Sequence, residues 1–108
     1  MLILFDQATP VPLRHFLKGH IVRTAAQQGW DRLRNGDLLD AAEKAAFEML
    51  LATDKNLRDQ QNLTGRKIAV LVLGQQQWNL LLPHVQLAVN AVNAATPGSY
   101  AEVEIPES

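Results

Sequence analysis

Lys67 to Leu73 reads KIAVLVL and Leu2 to Phe5 reads LILF. Neither run alternates apolar with polar residues, as a strand with one wet face must. Both are short and continuously apolar, the pattern of strands buried on both faces of a mostly parallel sheet. A third run, FEMLLA from Phe47 to Ala52, is apolar at five of six positions and ends abruptly in Thr53, Asp54, Lys55 and Asn56. A chain with three such strands has to use the residues between them for crossovers, most of them helical.

The gaps carry that signal. Pro10 and Pro12 open a helical segment with Leu13, Phe16 and Leu17 at helix spacing and Gly19 as its stop. HIVRT, His20 to Thr24, is expected as a second strand and AAQQGW as a brief helical turn ended by Gly29. RLRNG is expected as a loop in which Asn35 caps the next helix. That helix, expected over Asp37 to Ala46, sets Leu38, Leu39 and Ala42 on one face and pairs Asp40 with Lys44. Further helices are expected over Leu57 to Leu63 and over Trp78 to Ala95. YAEVEI, Tyr100 to Ile105, alternates, so it should be an edge strand with Glu102 and Glu104 facing water. Strands alternating with helices, without linker or repeat, imply one α/β domain over residues 1–108. Its expected form is a three-layer α/β/α sandwich around a mostly parallel sheet.

Composition narrows the partners. The 108 residues, 47% hydrophobic and 19% charged, supply one core. The absence of cysteine excludes disulfides, thiolate zinc sites and cysteine nucleophiles, and suits the cytoplasm, the expected location. MLILFDQ has no basic lead, so neither a signal peptide nor a membrane anchor is expected. No apolar run reaches the ~20 residues of a membrane span. A net charge of −1 gives no overall attraction to nucleic acid, so any such contact has to be local. His15, His20 and His84 lack metal-ligand spacing, and no phosphate-binding or dinucleotide glycine motif is present.

Three aspartates stand out by position. Asp6 follows the first strand as Asp54 follows the third, and Asp37 opens the helix between the second and third. In an open parallel sheet the carboxyl ends of the strands share one edge, where ligands bind beside the switch in strand order. Carboxylates gathered there repel and raise one another's pKa unless a cation lies between them. Mg²⁺ or Mn²⁺ suits an all-oxygen site and serves phosphoryl chemistry. Structural roles compete with this. Asp37 is a favourable helix N-terminal acid, worth about 0.3–1 kcal/mol, and Asp54 is a candidate N-cap. Asp6 has no evident cap role. Asp40, Glu43 and Asp59 are candidate fourth ligands, against which stands the simpler expectation of solvated helix faces.

ILFDQATPVPL, then GW followed by NGDLLDAA, then LLATDKNL and GRKIAVLVL, resemble in order and spacing the small PIN-like proteins related to toxins of bacterial toxin–antitoxin pairs. The resemblance runs from Leu2 to about Leu73, and the ATPGSYAEVEIP ending is similar to one branch of the group. It implies a PIN-type fold and a Mg²⁺- or Mn²⁺-dependent ribonuclease, the toxin component of such a pair. Asp6, Asp37 and Asp54 would be the catalytic and metal-binding acids. Asn56 stands where many of these nucleases carry a fourth acid. Arg32, Arg34, Lys55 and Arg58 flank the acids and would hold RNA phosphates. Thr53 would orient Asp54 by a hydrogen bond, and Trp30 is a candidate for base stacking. The implied partners are RNA and an antitoxin protein, and the last strand or last helix offers a homodimer face. The competing reading is a catalytically inactive PIN-like domain that binds a protein partner.

Overall fold

All three apolar runs form strands, and each pairs in parallel with its neighbours. The structure, a computed structural model, describes residues 1–60 and 62–106. Its sheet contains β1 (Leu2–Phe5), β2 (Ile21–Thr24), β3 (Met49–Ala52), β4 (Ala69–Leu73) and β5 (Tyr100–Val103), in the order β2-β1-β3-β4-β5. Every pairing is parallel, with Leu4 beside Leu50 and Leu50 beside Val70. The helices are α1 (Asn35–Lys44), α2 (Leu57–Gln60), α3 (Trp78–Leu81) and α4 (Val85–Ala94). The expected α/β class is present, and the sheet is parallel throughout. No described helix is long and apolar enough to cross a membrane.

Side-chain alternation along the strands divides the core in two. On one face Ile3, Phe5, Met49, Leu51 and Leu71 meet Leu13, Leu81, Ala88 and Val92. On the other, Leu4, Leu50, Val70 and Val72 meet Leu38, Leu39, Ala42 and Leu57. Fully burying one Leu, Ile or Phe side chain contributes about 1.5–3 kcal/mol, against roughly 0.2–1 kcal/mol for a cross-strand pair. Helical cover on both faces therefore does more to hold the sheet than pairing preference does.

The cover is reached by an unequal path. α1 and α2 lie on the second face; α4 and the 3₁₀ segment Val11–Phe16 lie on the first. From β3 to β4 and from β4 to β5 the chain moves the same way across the sheet, but over opposite faces. The last crossover is therefore of opposite hand to the three before it, a rare arrangement among parallel crossovers. Without it, the first face would have only the six-residue 3₁₀ segment to cover it.

Several expected boundaries shift for local reasons. The Pro10–Leu17 segment is 3₁₀ helix, its ends closed by i→i−3 bonds from Leu13 N–H to Pro10 O and Leu17 N–H to Arg14 O, each 3.2 Å. The helix expected over Trp78–Ala95 is divided by a 3₁₀ turn at Leu82–His84. Pro83 has no N–H to donate and crowds the carbonyl four residues earlier. β3 and β4 each start two residues later than expected. Of the helix expected over Leu57–Leu63, α2 is present, and Gln61 lies outside the described residues.

α1 begins at Asn35, with Arg34 rather than Asn35 at the cap position. It ends before Ala46, where Phe47 N–H donates to Ala42 O (2.9 Å) and Ala46 N–H to Glu43 O (3.1 Å). This is the double closure that usually places glycine in the left-handed position. Here Ala46 occupies it at φ 65. Asp40 pairs with Arg66 at 3.0 Å instead of the expected Lys44, and Glu43 binds the same guanidinium. Arg66 thus fastens the segment before β4 to α1. Ala46→Gly is expected to stabilise the fold by about 0.5–1 kcal/mol, since a Cβ in the left-handed region is strained. Urea unfolding would show a higher midpoint at unchanged slope; an unchanged or lower midpoint contradicts the strain.

Candidate functional site

Parallel register carries two of the three aspartates to one place. Phe5 pairs with Leu51, and the ladder continues one step as Asp6 N–H donates to Leu51 O at 3.1 Å. Asp6 therefore leaves β1 level with the end of β3, two residues before Asp54. Thr53, immediately before Asp54, donates its backbone N–H to the Asp6 carboxylate. β2 lies on one side of β1 and β3 on the other, so Asp6 and Asp54 flank the point where the strand order reverses.

Asp6 is buried, only 8% exposed. Its Oδ1 accepts the Thr9 hydroxyl at 2.5 Å, Thr9 N–H at 2.9 Å and Ala8 N–H at 3.2 Å. The Thr9 hydroxyl also lies 2.9 Å from Leu51 O but has a single proton. With Asp6 ionised, that proton belongs to the carboxylate. With Asp6 neutral, the acid can donate to Thr9 and Thr9 can donate to Leu51. Burial pushes the Asp6 pKa above its ordinary value of 3.8, opposed by the donors from Thr9, Ala8 and Thr53. The ion pairs among the described residues join Lys55 to Glu104 and Arg66 to Asp40 and Glu43; none reaches Asp6 or Asp54.

Asp54 is half-buried and differently held. Its Oδ1 accepts Asn56 N–H at 2.9 Å, and its Oδ2 accepts the Asn35 side-chain amide at 3.2 Å. Asn35 thus serves the site across the sheet edge rather than capping α1. Thr53 contributes its backbone to Asp6, and Asn56 its backbone to Asp54. Each Asp54 oxygen has one hydrogen bond and retains a lone pair, and the donor set is hard oxygen, which fits Mg²⁺ or Mn²⁺.

Asp37 is not gathered with the other two. Two residues along an α-helix turn the side-chain direction by about 200°, so with Asn35 directed at Asp54, Asp37 is turned away, and it is exposed. No three His, Asp or Glu side chains among the described residues are close enough together to hold one metal ion. Asp40 and Glu43 are committed to Arg66.

The basic residues divide. Arg32 and Arg34 are exposed on the loop before α1. Lys55 is paired with Glu104 at 3.6 Å, and Arg58 lies over the Tyr100 ring, 5.3 Å from its centroid. Trp30 is half-buried, packed against the second-face core and edge-on to Phe47 at 5.9 Å. His20 is tied to Asn93 at 2.8 Å.

No family model, curated protein or solved structure matches this chain. The site rests on its own geometry. Sequence reasoning missed three residues that build it: Thr9, Asn35 in its actual role, and Gln7. The Asp-x-x-Thr spacing of Asp6 and Thr9 is a local turn signal that was legible; Asn35 and Gln7 act across distances no spacing reveals.

Because its folded pKa is raised, ionising Asp6 weakens the fold. The penalty is absent below 3.8, grows as pH rises and is complete above the raised folded value. Thr9→Val is expected to raise the Asp6 pKa further and to cost about 1.5–3 kcal/mol at pH 7, the worth of a hydrogen bond to a charged group. That cost should shrink as pH falls through the Asp6 pKa. Carboxyl ¹³C titration with urea unfolding at each pH would test it, and a cost independent of pH contradicts the assignment.

Proposed function

We propose that the chain is a small PIN-like domain acting as a Mg²⁺- or Mn²⁺-dependent ribonuclease, the toxin half of a toxin–antitoxin pair. The observation that carries this reading is Asp6: a carboxylate buried at the carboxyl edge of a parallel sheet, beside the switch in strand order, with no cationic side chain paired to it among the described residues. Asp6 and Asp54 are the groups that would hold the metal. A divalent cation there would supply charge neutralisation and Lewis acidity toward a phosphodiester.

The remaining roles fall to the chain's own groups. Thr9 and the Ala8 and Thr53 amides fix the Asp6 carboxylate, and the Asn35 amide fixes Asp54. Arg32 and Arg34 are the basic residues free to meet phosphates, since Lys55 and Arg58 already have partners. Asp37, exposed and turned from Asp54, has no part in this site.

One observation favours the second reading, a PIN-like interaction domain without catalysis: among the described residues no three acidic or histidine side chains lie close enough to hold one metal ion, where three aspartates were expected to converge. Calorimetric titration with Mn²⁺, comparing parent with Asp6→Asn, separates the two. Residues that only orient a ligand are worth about 10–100-fold in metal affinity. Loss of a ligand itself should therefore weaken binding by more than ~10-fold and abolish RNA cleavage, with the fold retained. An Asp6→Asn protein that cuts RNA at the parental rate would sink the nuclease reading. Absence of Mn²⁺ binding in the parent, with or without RNA, would favour the interaction domain.

A further inference from the structure

Gln7 follows Asp6 at the end of β1, and its side chain crosses to the loop before α1. Its amide nitrogen lies 2.5 Å from the carbonyl of Asp31, 3.4 Å from that of Trp30 and 3.5 Å from that of Leu33. Three backbone carbonyls that point at one spot form an acceptor cup, and a primary amide has two N–H donors to place in it. With two N–H donors for three carbonyls, the amide shares its hydrogen bonds among them.

The segment held this way is functionally placed. It carries Arg32 and Arg34, and it ends in Asn35, whose amide donates to Asp54 at 3.2 Å. Its backbone bonds are otherwise local: Trp30 N–H donates to Ala25 O at 2.8 Å and Leu33 N–H to Trp30 O at 3.0 Å. The Trp30 ring anchors one end against Phe47. Leu33, between the two arginines, also packs against the second-face core, and Gln7 adds the side-chain hydrogen bonds that tie this loop to the residue beside Gln7, Asp6.

We infer that Gln7 is a positioning residue that sets the Arg32–Arg34 loop against the Asp6 carboxylate, so that a phosphate backbone reaching the acids meets both arginines. The inference rests on the nuclease reading for what the loop binds. Two arginines on an unfastened loop must be ordered at the moment of binding, and that ordering opposes affinity. Fastened in advance by Gln7, they offer their charge without that cost.

The test is a double-mutant cycle read by anisotropy of a labelled single-stranded RNA oligonucleotide with Mn²⁺ present. Gln7→Met keeps the length of the side chain and removes its donors; Gln7 is exposed, so the variant is expected to fold. Gln7→Met should weaken RNA binding about fivefold to tenfold in the parent and less than about twofold in an Arg32→Ala/Arg34→Ala background, because coupled residues are not additive. Equal losses in both backgrounds, or none in the parent, would overturn the positioning role. A parent that binds no RNA would overturn it together with the nuclease reading, whereas additive losses in a protein that binds RNA and Mn²⁺ leave that reading standing. As a check without substitution, the Gln7 side-chain amide protons should exchange slowly in the parent; fast exchange contradicts the latch.

Discussion

Parallel strand pairing places the end of every strand on one edge, and the rest of the molecule depends on that. β1 pairs with β2 on one side and β3 on the other; the connection from β1 leaves toward β2 over the first face, and that from β3 leaves toward β4 over the second. In open parallel sheets of this topology ligands bind outside the ends of the two strands that flank the switch, here β1 and β3. Asp6 and Asp54 lie just beyond these ends because each is the first acid after its strand. Register sets them at the same edge: Phe5 lies beside Leu51.

The same apolar strands explain the unusual last crossover. Three inner strands buried on both faces require cover on both faces. α1 and α2 supply it on one side, but the 3₁₀ segment buries only Leu13, with Leu17 just after it, on the other. α4 closes that face with Ala88 and Val92, small and branched residues that let the helix lie close to β4. The burial lost by leaving the face open would exceed the preference of a crossover for one hand. Pro83 interrupts this helical run without ending the cover, because α3 already buries Leu81 before the break.

How much of this was legible depends on the distance over which each signal acts. The strands, the class and the placement of Asp6 and Asp54 were legible because they follow from runs of adjacent residues. Asp37 was misplaced because a helix turns about 100° for each residue; an error of two residues in where α1 starts exchanges the residue that faces the edge. Asn35 faces it, Asp37 does not. The partners of Lys55 and Arg58, Glu104 and Tyr100, lie more than forty residues away, so no local spacing identifies them. Trp30 resembled an exposed aromatic by its neighbours in sequence, yet it packs on Phe47, seventeen residues on. The hand of the last crossover had no sequence signal at all.

The balance of forces at Asp6 bears most directly on purpose. Taking a carboxylate out of water costs several kcal/mol even after relaxation, and hydrogen bonds to a charged group return about 1.5–3 kcal/mol each. Thr9 and the Ala8 and Thr53 amides all donate to it, yet burial still raises its pKa. The donors orient Asp6 without fully compensating it. An apolar residue buried at this position would carry no such deficit, and a nearby arginine would remove it. The chain has neither; it places its arginines on an adjacent loop and leaves the charge deficit at the mouth of the sheet. Under the proposed metal site, a cation that binds the folded chain and not the unfolded one would relieve this deficit and add stability that grows with the logarithm of its concentration above Kd. The acid that weakens the fold alone would then strengthen it when bound, which ties the stability of this edge to the occupancy of its site.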